Sequence, residues 1–147
     1  MIIGVGNPYR GDDSVGLIVV RRLKEALGAS AIICENNGDG AALLEAWRSA
    51  HRVIIVDAAK SGAKVGTIHR FDAGRRKLPQ EFFHCSTHAF GLSEAIELAR
   101  ALGELPPSIV VYAVEGDNFA QGAELSAEVR EAIDEVVACI KAEVFLI

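Results

Sequence analysis

Two patterns of apolar residues along the chain predict a mixed α/β fold. Runs that are apolar throughout are typical of strands buried on both faces, and apolar residues three or four apart predict helices with one buried face. The order of these segments predicts one three-layer α/β/α domain over residues 1–147, with a twisted, mostly parallel sheet of about five strands. The predicted strands cover residues 1–5, 31–35, 53–56, 66–71 and 108–114, and the predicted helices cover residues 15–27, 41–50, 88–102 and 127–141.

Two acidic positions follow strands that are expected to be neighbours in this sheet. Asp13 lies in the turn after the first strand, and Asp57 comes directly after the apolar run 53–56. If the strand order is 2-1-3-4-5, the connections diverge between the first and third strands, and ligands bind beyond the carboxyl ends of the strands at that point. The sequence therefore predicts that Asp13 and Asp57 flank a binding crevice. The alternative for each residue is a helix cap or a turn.

The glycine-rich turn after the first strand is a candidate nucleotide-binding loop, but its residues argue against that use. A dinucleotide fingerprint requires G-x-G-x-x-G, and Tyr9 occupies the place of the third glycine after Gly4 and Gly6. Asp12 and Asp13 would also repel a phosphate at the following helix N-terminus. The turn therefore points to chemistry that uses carboxylates.

His88 adds an imidazole to this set of acids. It lies at the start of a predicted helix, after the long connection 72–87. Two carboxylates and one imidazole form a mixed oxygen and nitrogen site that suits zinc and related divalent ions. His84 and Cys85 offer a weaker alternative site, and His51 and His69 are interpreted as surface or capping residues.

Composition and charge exclude several classes of function. The chain has 15 basic and 20 acidic residues, a formal charge of −5, and no basic stripe of the kind that binds nucleic acid. No apolar run approaches the roughly 18 residues that span a bilayer. The three cysteines are far apart, and no signal peptide is recognisable, so we expect a cytoplasmic protein without membrane or nucleic-acid partners.

These motifs together resemble those of the hydrogenase maturation endopeptidases. The shared pattern is spread over nearly the whole chain in the same order. It comprises Gly4-x-Gly6-Asn7, Asp12-Asp13-x-x-Gly16, an apolar strand ending at Asp57, Thr87-His88 with Gly91-Leu92, and Glu115-Gly116 followed by Gly122 through Leu125-Ser126.

The resemblance implies an endopeptidase that removes the C-terminal extension of a nickel–iron hydrogenase large-subunit precursor. It implies the hydrogenase-maturation-protease fold, a monomer, and nickel that arrives with the substrate and serves as the recognition signal. The positions that contact this metal fall on Asp13, Asp57 and His88. Zinc or cadmium is expected to bind to the same three residues.

Further roles follow from the same comparison and from the chemistry of peptide hydrolysis. Asp12, Asp13 and Asp57 are the expected catalytic residues, with Asp12 as a candidate general base. The substrate-positioning candidates are Gly6, Asn7, Glu35 and Glu115, and backbone amides of residues 4–7 are candidate oxyanion donors. The chain departs from the family after its second strand, where residues 35–40 replace the usual Asp-Gly-Gly-Thr, so that either Glu35 or Asp39 substitutes for the aspartate or the position is dispensable.

Two other functions remain open at this point. One is a magnesium-dependent phosphohydrolase, for which Arg10 and Lys60 are the available phosphate-binding cations. The other is a nickel-binding accessory or delivery protein that uses the same ligands without cleaving anything. A further prediction concerns the connection 72–87, in which the basic run 75–77 and Phe82-Phe83 form either a solvated loop or a docking segment.

Overall fold

A mostly parallel sheet flanked by helices on both faces forms the architecture of the computed structural model, which describes residues 1–83 and 87–146. The strands are β1 (Ile2–Val5), β2 (Ile33–Asn36), β3 (Arg52–Ala59), β4 (Ile68–Asp72) and β5 (Ser108–Glu115), and the helices are α1 (Val15–Leu27), α2 (Gly40–Trp47), α3 (Leu92–Leu102) and α4 (Ala127–Phe145). The predicted fold class is confirmed. Within the described residues, no helix is long and apolar enough to cross a membrane.

The strand order within the sheet is β2-β1-β3-β5-β4. The first three pairings are parallel, and β4 pairs with β5 in the antiparallel direction at the edge. This order differs from the predicted 2-1-3-4-5, because β5 and not β4 pairs with β3. Because β1 lies between β2 and β3, the connections diverge at the β1–β3 boundary, and a crevice is expected beyond the carboxyl ends of these two strands.

Both faces of the sheet are covered by apolar side chains, which explains why the strand sequences do not alternate with polar residues. Helices α1 and α4 cover one face, and α2 and α3 cover the other. The first layer includes Val19, Leu23, Val56, Ile133 and Val136. The second layer includes Ile3, Trp47, Ile55, Ile96 and Val111.

Two element boundaries near the candidate site differ from the prediction. Strand β3 does not end at Asp57, because Ala58 and Ala59 continue the ladder with β5. Helix α3 begins at Leu92 and not at His88. Gly91, just before it, has extended backbone angles, and its N–H donates to the Glu94 carboxylate at 3.0 Å, which caps the helix at that position.

The described part of the connection after β4 is largely fixed to the domain. Phe83 is 7% exposed and Phe82 packs against the same apolar layer, so these two rings do not form an exposed docking patch. The basic run 75–77 is exposed, and the Arg100 guanidinium donates to the carbonyls of Ala73 and Arg76 beside it. This geometry favours the interpretation of a solvated loop.

Candidate active site

A short turn after β1 carries Asp13 to the β1–β3 boundary. Residues Gly11–Ser14 form one turn of 3₁₀ helix that leads directly into α1. The Asp13 N–H donates to the Arg10 carbonyl at 3.1 Å, and the Ser14 hydroxyl donates to the Gly11 carbonyl at 2.8 Å. Gly11 has φ +53°, a left-handed conformation that glycine adopts without steric cost.

Glycine in the first turn of α1 lets this helix approach the strands closely. A β-carbon at Gly16 would lie 2.5 Å from the Val5 carbonyl oxygen and closer still to that of Val56. A β-carbon at Gly4 would in turn lie 2.5 Å from the Gly16 carbonyl oxygen. The start of α1 therefore packs directly on the ends of β1 and β3, which brings the preceding Asp13 next to Asp57.

Asp13 and Asp57 form a buried acidic pair. Their exposed fractions are 5% and 6%. Burial raises the pKa of Asp57 well above its ordinary value, and the charge of Asp13 raises it further. One hydrogen bond, from the Ala58 N–H at 2.8 Å, lowers this pKa but does not offset the other two effects. Burial also raises the pKa of Asp13, although the Arg10 guanidinium, 3.9 Å away, and the Asn7 N–H oppose this shift.

The protonation states available to two buried carboxyl groups this close together are restricted. Both can ionise only when a cation compensates their charge, and otherwise at least one of them retains a proton. The pair is thus suited to hold a divalent cation or to exchange a proton with a reacting group.

Asp12 faces away from this pair and bonds to a different loop. It is fully buried, and its carboxylate accepts from the N–H groups of Asp117, Asn118 and Ser126 and from the Ser126 hydroxyl, at 2.6–3.1 Å. Burial alone would raise the pKa of Asp12, but these hydrogen bonds outweigh it and hold the pKa below its ordinary value. A carboxylate saturated with four donors is a poor proton acceptor, so the geometry argues against Asp12 as the general base.

His88 lies in the irregular segment before α3 and is half-buried. The neighbouring Phe90 carbonyl accepts from the Gly40 N–H at 2.9 Å, which fixes this segment to the start of α2. Among residues 1–83 and 87–146, no three His, Cys, Asp or Glu side chains are grouped closely enough to hold a metal ion. The structure thus brings Asp13 and Asp57 together but does not add His88 to them, and the three-ligand site stays a prediction. His84 and Cys85 lie outside the described residues.

Glu115 is occupied by contacts within the protein. It is 1% exposed and accepts from the Ser61 N–H at 2.7 Å, from the Ser61 hydroxyl at 2.5 Å and from His69 at 3.1 Å. The His69 ring also packs against Phe71 and Phe82. The carboxylate therefore fixes the connection after β3, which argues against direct contact with a substrate. Sequence reasoning missed His69, because nothing local to it indicates a partner 46 residues away.

The candidates near β2 also have partners inside the protein. Glu35 is exposed and forms an ion pair with Arg21 of α1 at 2.5 Å, on the outer surface of α1 and β2. Asp39 caps α2, since its carboxylate accepts from the Ala41 N–H at 3.1 Å. Neither contact indicates a role in substrate binding.

The amides proposed as oxyanion donors are already engaged. The Gly6 N–H donates to the Asn36 carbonyl at 3.0 Å, and the Asn7 N–H donates to Asp13. The Asn7 side chain accepts from the Tyr9 N–H at 2.9 Å, which shapes the turn. In this conformation, the backbone of Gly6 and Asn7 stabilises the sheet and the acidic pair, and it offers no donor to an oxyanion.

Both cations required by the phosphohydrolase alternative have partners. Arg10 lies beside Asp13, and the Lys60 ammonium lies 5.7 Å from the centroid of the Phe119 ring. The acidic pair, with one guanidinium beside Asp13, would bind a cation more readily than a phosphate. The geometry therefore favours the metal-directed interpretations.

Comparison with known proteins decides among the families compatible with such a site. The family model for hydrogenase maturation proteases (HycI) matches residues 18–143. The chain belongs to the hydrogenase maturation protease family. The match covers most of the domain, including Asp57 and His88, and it ends in the last turns of α4.

Relatives of this family resemble the chain in sequence and fold. The hydrogenase expression/formation protein HupD of Thiocapsa roseopersicina is 26% identical over 145 residues, a match that spans 90% of this chain and 62% of that protein. The NiFe hydrogenase maturation protease HybD of Thermococcus kodakarensis is 25% identical, with a TM-score of 0.73 and 97% of each chain covered. An endopeptidase of Escherichia coli shares the fold with a TM-score of 0.80 at 22% identity, covering 96% of this chain and 90% of its own.

Proposed function

We propose that this protein is an endopeptidase that removes the C-terminal extension from a nickel-loaded hydrogenase large-subunit precursor. The observation that carries the proposal is the buried pair of Asp13 and Asp57 at the β1–β3 boundary, in a chain that belongs to the hydrogenase maturation protease family. A buried acidic pair in a crevice suits a function in which a cation arrives from outside.

Recognition of the substrate follows from the charge of this pair. The nickel ion of the precursor would compensate both carboxylates, and the burial of the pair would strengthen this attraction because little water screens it. His88, in the segment anchored to α2, would supply a nitrogen ligand on the other side of the crevice. Since the described side chains are not grouped as a metal site, we propose that binding of the metal-loaded precursor completes the set.

The reaction is hydrolysis of one peptide bond. A water molecule adds to the scissile carbonyl carbon, and the C–N bond breaks to leave a new carboxyl end on the subunit and a new amino end on the released extension. Asp13 and Asp57 would hold the metal-bearing segment in a fixed position, which brings the scissile bond into a reactive geometry. A carboxylate oxygen of the pair that does not contact the metal would accept the proton of the attacking water and return it to the leaving amine.

The direct test is to incubate the purified protein with a nickel-loaded precursor and with the same precursor prepared without nickel. Mass spectrometry of the products is expected to detect release of the extension from the nickel-loaded form alone. Asp13→Asn is expected to abolish release while circular dichroism and the melting temperature show an intact fold. Glu25→Gln, a change of an exposed acid near the far end of α1, is the control and should cleave normally.

Other outcomes would select a different function. Cleavage by Asp13→Asn at the wild-type rate would exclude the acidic pair as the site. Binding of nickel by the wild-type protein, measured by calorimetry, without cleavage of either precursor would instead favour a nickel accessory or delivery protein.

A further inference from the structure

Asp12 joins two loops that are far apart in the sequence. The Asp12 carboxylate lies in the 3₁₀ turn that carries Asp13, and all four of its donors belong to the β5–α4 connection. Three of them are the backbone N–H groups of Asp117, Asn118 and Ser126. The fourth is the Ser126 hydroxyl at 2.6 Å. One fully buried side chain thus fixes the turn against residues more than 100 positions away.

Ser126 provides independent support for the importance of this contact. It occupies the N-cap position of α4, where a serine side chain commonly accepts from the free N–H groups of its own helix. Here the Ser126 side chain makes no such cap, and its hydroxyl donates to Asp12. The usual cap of α4 is therefore replaced by a bond that stabilises the turn beside the acidic pair.

Close packing around the same point leaves the turn little freedom to move. A β-carbon at Gly116 would lie 2.8 Å from the β-carbon of Asp12, and a β-carbon at Gly11 would lie 3.1 Å from that of Ala123. Two backbone bonds join the same loops, from the Asp12 N–H to the Asn118 carbonyl at 2.9 Å and from the Gly122 N–H to the Tyr9 carbonyl at 2.7 Å.

We infer that Asp12 is a positioning residue, which fixes the 3₁₀ turn to the 116–126 loop so that Asp13 is held beside Asp57. This inference rests on the proposed function, because it concerns the same acidic pair. Asp12 acts through its neighbour and does not touch the substrate. The 116–126 loop is, by the same contacts, a rigid support of the site.

Asp12→Asn and Ser126→Ala test this inference against a purely structural role. Asparagine keeps one acceptor oxygen and directs an NH₂ group at N–H donors, so the turn is expected to shift. A displacement of about 1 Å at a reacting group costs about 100-fold in rate. We expect kcat for release of the extension to fall by that order in Asp12→Asn and by less in Ser126→Ala, which keeps three of the four bonds, with KM for the nickel-loaded precursor little changed.

The control is a variant that loses stability at a distance from the crevice. Ile140→Ala removes a fully buried side chain near the other end of α4 and is expected to lower the melting temperature without changing kcat at 25 °C. Amide hydrogen exchange should also become faster in residues 10–14 and 116–126 of Asp12→Asn, with the centre of the sheet unchanged. If Asp12→Asn does not fold, the same measurements of kcat, melting temperature and hydrogen exchange on Ser126→Ala test the inference.

Two results would overturn the inference, and they are distinguishable from failure of the proposed function. If Ile140→Ala, at the same loss of melting temperature, lowered kcat as much as Asp12→Asn does, Asp12 would have a structural role alone. Unchanged kcat in Asp12→Asn would exclude positioning. A wild-type protein that does not cleave the nickel-loaded precursor would overturn the proposed function, and this inference with it.

Discussion

Asp13 and Asp57 lie close enough together, beyond β1 and near the end of β3, that the charge of Asp13 raises the pKa of Asp57. Both side chains are almost completely buried, and the Arg10 guanidinium is 3.9 Å from the Asp13 carboxylate. The native fold therefore maintains an electrostatically unfavourable pair at the point where its connections diverge. Such an arrangement is typical of a site whose compensating charge comes with a ligand.

Replacement of Asp57 by asparagine is expected to stabilise the protein at neutral pH. Because the pKa of Asp57 is raised in the folded state, its contribution to stability is fully present below the unfolded pKa of about 3.9 and is lost as the pH rises through the folded pKa. The asparagine amide does not ionise, so it would avoid that loss. Urea denaturation should therefore give a larger free energy of unfolding for Asp57→Asn than for wild type at pH 7, and a smaller difference at pH 3.5.

The exposed Glu25→Gln substitution, near the far end of α1, controls for the change in net charge. An equal effect of Asp57→Asn at both pH values would contradict the burial of an ionisable carboxyl at this position. The Asp57→Asn protein is also expected to lose cleavage of the nickel-loaded precursor, so that stability and activity change in opposite directions.

His88 is expected to contribute to recognition of the metal and not to the stability of the apo-protein. His88→Ala should lower the affinity for the nickel-loaded precursor by about 10-fold to 100-fold, the range seen when metal ligation is perturbed, with the melting temperature within a few degrees of wild type. Binding can be measured by surface plasmon resonance. His51→Ala, a change of an exposed histidine before β3, is the matched control. The same affinity for both variants would exclude His88 from the site.

Gly16 is expected to tolerate no larger residue. A β-carbon there would lie 2.5 Å from the Val5 carbonyl oxygen, so Gly16→Ala must move α1 away from the strands. The expected loss of stability is about 2–3 kcal/mol, as for other overpacked sites, and the displacement of Asp13 should reduce cleavage as well.

Gly74→Ala is the control for Gly16→Ala. The nearest atoms to a β-carbon at Gly74 are 3.4 Å or more away, so we expect a change within about 0.5 kcal/mol. Thermal denaturation of the two variants, in parallel with wild type, provides the comparison. Equal stability of the two variants would mean that α1 does not pack on the strands as closely as described.

Glu143 is expected to stabilise the last turns of α4 through contacts with the sheet. Its carboxylate accepts from Arg70 at 2.5 Å and from the Tyr112 hydroxyl. Burial alone would raise the pKa of Glu143, but Arg70 and Tyr112 outweigh it and lower the pKa. The stabilisation is thus present above the unfolded pKa of about 4.3 and is lost as the pH falls through the folded value.

Glu143→Gln should therefore cost about 1–2 kcal/mol at pH 7 and less at pH 3, as measured by urea denaturation. Burial and the bond to Glu143 raise the pKa of Tyr112 to about 12, so the ultraviolet titration of this tyrosine should move to lower pH in the variant. An unchanged titration would contradict the contact between Glu143 and Tyr112.

The sequence by itself determined the layers, the placement of the first strand between the second and third, and the two acids that follow β1 and the apolar run of β3, whereas the order of the last two strands is the reverse of the predicted one. Apolar spacing defined α1 to the residue, and the continuous apolar run of β3 indicated a strand buried on both faces. These features depend on local periodicity and on the general rules of parallel sheets. Both can be applied to short stretches of consecutive residues, without knowledge of distant contacts.

Tertiary structure alone decided which acids are saturated by hydrogen bonds and which form the acidic pair. Asp12 and Asp13 are adjacent in the sequence, yet one is saturated by the 117–126 segment and the other faces Asp57. Glu115, similarly, takes its partners from Ser61 and His69. Hydrogen-bond partners 46 or more positions away leave no local pattern, because they depend on how loops from different strands meet, and so adjacent carboxylates of the same type acquired opposite roles.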